Sequence, residues 1–200
     1  MAERGRPRGF DRDIALRRAM EVFWERGYDG ASMADLTTAM GINSPSLYAA
    51  FGDKEALFRA AVELYGRTEG SRTARALREE PTAYTAIEAM LRDNITVYTD
   101  PELPHGCMVV LAGATYTTRN ASVRAFLAEA RRHTTADIHA RLDRGVADGD
   151  LRPGTDTAAL ATLYSTVLYG LSIQARDDVG HAELSAAVDS ALEVLAASTT

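Results

Sequence analysis

Cysteine is nearly missing from this 200-residue chain, where Cys107 stands alone. A single thiol cannot close a disulfide within the chain or build a structural zinc site, so a small disulfide-stapled secreted scaffold is excluded. Lysine is just as scarce. Of the 22 basic residues only Lys54 is a lysine, and the excess of arginine together with abundant alanine suggests a GC-rich bacterial genome. No run approaches 18 consecutive apolar residues, and the opening segment carries Arg4, Arg6, Arg8, Arg12, Arg17 and Arg18 without the apolar core of a signal peptide. The expectation is a chain that neither spans a membrane nor is exported, with the cytoplasm as its place. Alternating β-branched runs of strand length are absent too, which removes the all-β and α/β classes.

What is present is a 46% apolar, 25% charged composition, that of a soluble globular chain. The formal charge of −6 argues against coating nucleic acid through bulk positive charge. Locally the balance reverses: residues 1–8 hold Arg4, Arg6 and Arg8 against Glu3 alone, followed by Gly9, and read as a short flexible basic arm.

Alanine-rich stretches of 3.6-residue periodicity fill most of the length and predict an all-α fold. A first helix runs from about Asp11 to Arg26, with Ala15, Ala19, Val22 and Phe23 on one stripe, and Gly27 stops it. Ser32 and Asp35 have capping-box spacing before a two-turn helix, Met33 to Met40, which Gly41 ends. Ile42 falls where a side chain folds back onto Leu36. Asn43 or Ser44 then caps a further short helix with Pro45 in its first turn, closed by Gly52. Asp53 caps a longer helix carrying Leu57, Phe58, Ala61, Leu64 and Tyr65. After a break at Glu79-Glu80-Pro81, a helix from Thr82 to about Tyr98 leads into the irregular loop from Asp100 to Gly106. A short apolar helix from Cys107 to Tyr116 and a long one from Asn120 to about Ala147 follow.

The last two helices carry the same stripe at offsets 0, 3, 4, 7, 8 and 11: Leu160, Leu163, Tyr164, Val167, Leu168 and Leu171 in one, Leu184, Ala187, Val188, Ala191, Leu192 and Leu195 in the other. A hairpin alone leaves part of so wide an apolar surface uncovered, so a homodimer closed through a four-helix bundle is expected, with the alternative that both stripes face their own domain.

Residues 32–51 have helix-turn-helix geometry. The set Gly27-Tyr28, Ser32-Met33, Leu36, Gly41-Ile42, Ser46-Leu47-Tyr48 and Phe51 through Phe58 resembles the N-terminal domain of the tetracycline-repressor (TetR) family of bacterial regulators, over about residues 10–65. That resemblance implies a DNA-binding head at residues 1–52 and a helical effector-binding and dimerising body at 53–200. It implies a sequence-specific transcriptional regulator, a repressor released from a palindromic double-stranded operator by a small molecule, with no catalytic role, cofactor or metal. In such a head Tyr48 and Lys54 are expected to touch phosphates, and Ser32 and Ser46 to add hydroxyl and helix-terminal N–H groups. Base reading falls to Asn43, Ser44, Pro45 and Ala49, with Ala34 from the preceding helix, and Arg6 and Arg8 reach an adjacent minor groove. Ala34 and Ser44 cannot make a bidentate guanine contact, so thymine methyls and DNA shape are expected to carry more of the specificity.

In the body the expected pocket walls are Tyr98, Cys107, Met108, Leu111, Tyr116, Phe126, His133, Tyr164 and Leu168, an apolar set with polar tips. Plain core packing is the competing reading for each. Cys107 reads as a small buried hydrophobe, or as a thiol activated at a helix start. His133, Asp137 and His139 are spaced over different helix faces and form no metal cluster. The phosphate loop, dinucleotide glycine fingerprint, nucleophile elbow and HExxH are all absent. An all-α ligand carrier or enzyme without DNA binding is the rival class.

Overall fold

The computed structural model describes residues 10–112 and 120–200, so Arg6, Arg8 and Tyr116 lie outside the described residues. Among these residues the regular structure is helical: α1 Arg12–Gly30, α2 Met33–Met40, α3 Ser44–Phe51, α4 Lys54–Arg67, α5 Ser71–Glu79, α6 Ala83–Tyr98, α7 Met108–Leu111, α8 Ala121–Asp148, α9 Thr157–Arg176 and α10 His181–Ala196. One isolated antiparallel bridge, Leu151 to Thr199, ties the end of α8 to the end of α10.

Local chemistry sets the first three helices. Asp11 caps α1 by accepting the Asp13 and Ile14 amides. Gly27, at φ 69° and ψ 177°, is non-helical and stops the regular helix after Arg26 as expected; the turn that follows, to Gly30, is a separate short helical piece across that kink. Ser32 and Asp35 form the expected capping box on α2. Gly41 closes α2 in the left-handed region at φ 69°, and the Ile42 amide reaches back to the Thr37 carbonyl. That closure turns the chain within three residues, and Asn43 then caps α3 by accepting the Ser46 amide. The three short elements are held by one aromatic nucleus. Phe23 meets Phe58 edge-on at 5.0 Å, Tyr28 meets Phe58 at 5.1 Å, and Leu36, Leu47 and Leu57 are fully buried around them.

α4 packs against α1 and carries that nucleus into the body, where Trp24 meets Tyr65 edge-on at 4.9 Å. A separate helix α5 lies between α4 and the expected break at Glu79; the Thr68-Glu69-Gly70 corner that starts it escaped the periodicity reading, because α5 begins at Gly70 with no side-chain cap. α6 is the central post, packed against α5, α8, α9 and α10. α9 is long and apolar enough by length and composition to cross a membrane, but it runs through this bundle with its stripe covered by α6, α8 and α10.

That covering corrects the assignment of the stripe. Leu160, Tyr164, Leu168, Leu171, Leu184, Val188, Leu192 and Leu195 are buried inside the single chain, while Leu163, Val167 and Ala191 are half-exposed and Ala187 is exposed. The two helices do not need a second copy to hide these side chains, because α6 and α8 already do so. The apolar groups left on their outer sides are different ones: Ile173, 46% exposed, and Val194, 48% exposed.

Candidate nucleic-acid interface and cavity

On the outer side of α2 and α3, Ala34, Asn43, Ser44, Pro45, Tyr48 and Ala49 are all exposed and Ser46 is half-buried. Tyr48 is 52% exposed, so its ring does not pack at the base of the motif, and an ordinary core aromatic is excluded. The cause is local: with Leu47 and Phe51 turned into the nucleus, the residue after Leu47 must point away from it. Asn43, Ser46 and Ala49 also line a shallow groove of about 410 Å³ completed by Phe10, Gly41, Ile42 and Ala50.

Two of the expected phosphate contacts carry prior engagements. The Ser32 hydroxyl donates to Asp35 at 2.6 Å and accepts the Asp35 amide at 3.1 Å, while the other Asp35 oxygen pairs with Arg26 at 2.7 Å. The Ser32 hydrogen bonds, with Arg26 beside them, hold the Asp35 carboxyl down at a pKa of about 2. A fixed carboxylate therefore sits at the start of α2, complementing the helix dipole where a bare N-terminus would attract phosphate. The Lys54 ammonium lies 4.4 Å from the centre of the Tyr28 ring. Burial lowers its pKa and Asp29 opposes that, so the charge is held in place on the ring face rather than waving in solvent.

In the body, a cavity of about 320 Å³ opens between α4, α6, α8 and α9. It brings together four of the expected wall residues, Tyr98, Cys107, His133 and Leu168. The other described ones lie elsewhere. Met108 is fully buried core, and Leu111 does not reach the space. Phe126 lies under the Arg59 guanidinium at 4.5 Å. Tyr164 points to α10, donating its hydroxyl to the Ala191 carbonyl at 3.0 Å, and burial pushes its pKa up to about 12. Walls that the sequence reading missed are Val62, Tyr65, Asn94, Arg131 and Tyr169. Tyr65 was visible as a stripe residue of α4, but which side of α4 meets α6 is a matter of tertiary packing.

Cys107 faces Tyr65 and Tyr98, both deeply buried. Burial first, then the Cys107 side chain, raises both phenol pKa values well above the ordinary tyrosine range, so both remain neutral donors. The backbone beside this thiol is pinned twice. The Cys107 amide donates to Ser172 Oγ of α9 at 2.7 Å, and the Gly106 carbonyl accepts the buried Trp24 indole N–H at 2.9 Å. Gly106, at φ 78°, approaches α9 so closely that an added Cβ would lie 2.5 Å from the Ser172 carbonyl oxygen. One residue of cavity wall is thus bonded through its neighbour to α1, the helix against which α2 packs. Among the described residues no group of His, Cys, Asp and Glu is placed to hold a metal ion.

Comparison with known proteins fits this division. Residues 15–61 match the family described as bacterial regulatory proteins, tetR family, and residues 83–187 match the tetracyclin repressor-like C-terminal domain. The chain is 33% identical to the HTH-type transcriptional repressor ComR of Escherichia coli K12 over 175 residues, covering 87% of this chain and 83% of that protein. It is 31% identical to the HTH-type transcriptional repressor BdcR of the same strain, over 88% of this chain and 84% of that one. Among solved structures, a cysteine-substituted form of the TetR family regulator CifR complexed with 26-bp double-strand operator DNA superposes with a TM-score of 0.92 at 49% identity, over 94% of this chain and 98% of that one. An all-α body built on a helix-turn-helix head, with both halves matched along the chain, places this protein in the TetR family of bacterial regulators, as a DNA-binding transcriptional regulator and not an enzyme.

Proposed function

We propose that the chain acts as a homodimeric repressor that holds a palindromic operator and releases it when a small molecule enters the α4–α9 cavity. The head, residues 1–52, meets the duplex with the outer side of α2 and α3. Tyr48 and Lys54 contact phosphates, the Ser46 hydroxyl adds a donor while its amide stays bonded to Asn43, and Ser32 contributes through its position rather than its already bonded hydroxyl. Ser44, Pro45 and Ala49 face base edges with Asn43 and Ala34 beside them, and Arg6 and Arg8 follow the backbone into the minor groove. The body, residues 53–200, pairs with a second copy through the outer sides of α9 and α10. Ile173 and Val194 are exposed there, and Leu163 and Val167 are half-exposed. Two heads so linked bind two half-sites with the avidity of one rigid reader.

The effector is a small, largely apolar molecule with an acceptor group for the Tyr65 and Tyr98 phenols. The observation that carries the release step is the Trp24 to Gly106 hydrogen bond, since any ligand that displaces Cys107 strains a buried bond to the head. Trp24 is the chain's single tryptophan, so its emission reports on this junction. The test is fluorescence anisotropy of duplexes taken from DNA flanking the coding region, with Trp24 emission followed in the same titration. Compounds that release the duplex are expected to change the emission over the same concentration range. Release with no change in Trp24 emission contradicts the coupling, and absence of any bound duplex at low salt contradicts the operator reading.

A further inference from the structure

Every α2–α3 side chain able to read a base by hydrogen-bond pattern is either absent or already engaged. Between Met33 and Phe51 there is no Arg, Lys, Gln, Glu or His. Guanine in the major groove is recognised by a bidentate Arg or by Lys, adenine by an amide that donates and accepts together, and cytosine by a carboxylate. The one amide, Asn43, has its carbonyl oxygen accepting the Ser46 amide at 2.9 Å, so it cannot offer the donor-acceptor fork that adenine requires. The one carboxylate, Asp35, is bonded to Ser32 and paired with Arg26. Hydroxyls remain on Thr38, Ser44, Ser46 and Tyr48, that of Thr37 being bonded to the Met33 carbonyl, and a hydroxyl bonds any base.

What this surface does present is carbon. Pro45 and Ala49 are exposed on the outer side of α3, and the adjoining groove is walled by Phe10, Ile42 and Ala50. The major groove carries a single apolar feature, the C5-methyl group of thymine. We propose that this head identifies its operator chiefly by thymine methyls seated against Pro45, Ala49 and the Phe10–Ile42 groove. The proposal rests on the α2–α3 surface facing the major groove, as in the function proposed above. It adds that specificity is apolar and would follow a methyl group even onto a different base.

The test uses the full chain and removes methyls without touching base pairing. Duplexes of 26 bp are selected from a random pool, and the enriched consensus is then remade with deoxyuridine in place of thymidine at one position per half-site at a time. At one or more consensus thymines, loss of the methyl is expected to weaken binding about fourfold per methyl, the value of one buried carbon. Replacing the same thymine–adenine pair by cytosine–guanine is expected to weaken binding more, and 5-methylcytosine to recover part of the loss. In Ala49→Gly the ratio of thymidine to deoxyuridine affinity should shrink toward one, a ratio unaffected by any general loss of helix stability. A consensus set by guanine, or deoxyuridine copies that bind as well as the parent at every position, overturns the proposal while leaving DNA binding intact. Enrichment of no duplex at all overturns the operator reading and this proposal with it.

Discussion

The head and the body of this protein are stabilised in different ways. Each of the four helices that build or border the head begins at a side-chain cap, from Asp11, Ser32, Asn43 and Asp53. α2 and α3 are only eight residues long, so their unpaired terminal amides are a large share of their backbone and capping decides whether they form. In the body the caps are mixed: Thr82 and Asp156 cap α6 and α9, and Glu183 reaches the Gly180 amide at the start of α10 at 3.4 Å, whereas α8 runs for 28 residues with no cap bond from Asn120. For α8, packing along its length replaces the cap. Among the described residues the body also holds buried polar atoms of a kind the head does not. Arg141 is buried with two guanidinium nitrogens lacking hydrogen-bond partners, and burial together with Arg144 lowers its pKa. Beside α6 the cavity reaches Asn94. A reader whose short helices are each capped, joined to a body with a cavity between its helices, suits a switch.

The largest effect should come from mistaking core for interface on the last two helices. Leu192→Arg buries a charge among α6, α9 and α10 and is expected to cost more than about 3 kcal/mol, leaving a chain that melts early or aggregates. Val194→Arg, on the exposed side of the same helix, should keep the wild-type melting temperature within a few degrees while light scattering shows loss of the dimer. Equal behaviour of the two variants would erase the distinction between stripe and outer face.

Next in size is the junction. Gly106→Ala combines a left-handed backbone with a Cβ driven against the Ser172 carbonyl and should cost about 2–4 kcal/mol in denaturant unfolding. Trp24→Phe removes one donor from a buried carbonyl and should cost about 1–3 kcal/mol. Since the bond spans α1 and the cavity wall, Trp24→Phe should also weaken the link between cavity occupancy and duplex release more than it weakens duplex binding itself.

The smallest effect tests the caps. Ser32→Ala should cost about 1 kcal/mol. It should also alter the acid limb of the stability curve. Asp35 is held well below its ordinary carboxylate pKa in the fold, so its contribution is complete above about pH 4 and is lost as pH falls toward 2. Without the Ser32 hydroxyl that limb should flatten, which urea midpoints measured between pH 5 and pH 2 would detect.

Why the head was legible in the sequence and the body only in outline follows from the same contrast. Ser32 with Asp35, Gly41, Asn43 with Pro45 and Gly52 act within four residues of themselves, so spacing alone locates α2 to the residue and leaves the start of α3 open only between Asn43 and Ser44 as its cap. In the body the helices are visible as periods, but an apolar side chain on α6, α8 or α9 has three possible fates: core, cavity or outer face. Periodicity assigns Tyr164 and Leu168 to the same stripe, yet one bonds α10 and the other lines the cavity. The deciding quantity is the packing of helices far apart in sequence. Asn94 and Tyr65 were missed as cavity walls for the same reason, and most of the stripe expected at a dimer seam is buried within the single chain.

The most direct test of the central claim, that α2–α3 and the start of α4 grip the DNA backbone, is the salt dependence of affinity for the selected duplex, wild type against Lys54→Ala and Tyr48→Phe. Loss of one charged phosphate contact should reduce the slope of log affinity against log salt by about 0.9 for Lys54→Ala. Tyr48→Phe, which loses a neutral hydrogen bond, should weaken all duplexes alike with the slope unchanged. Wild-type affinity and slope in both variants would contradict the account.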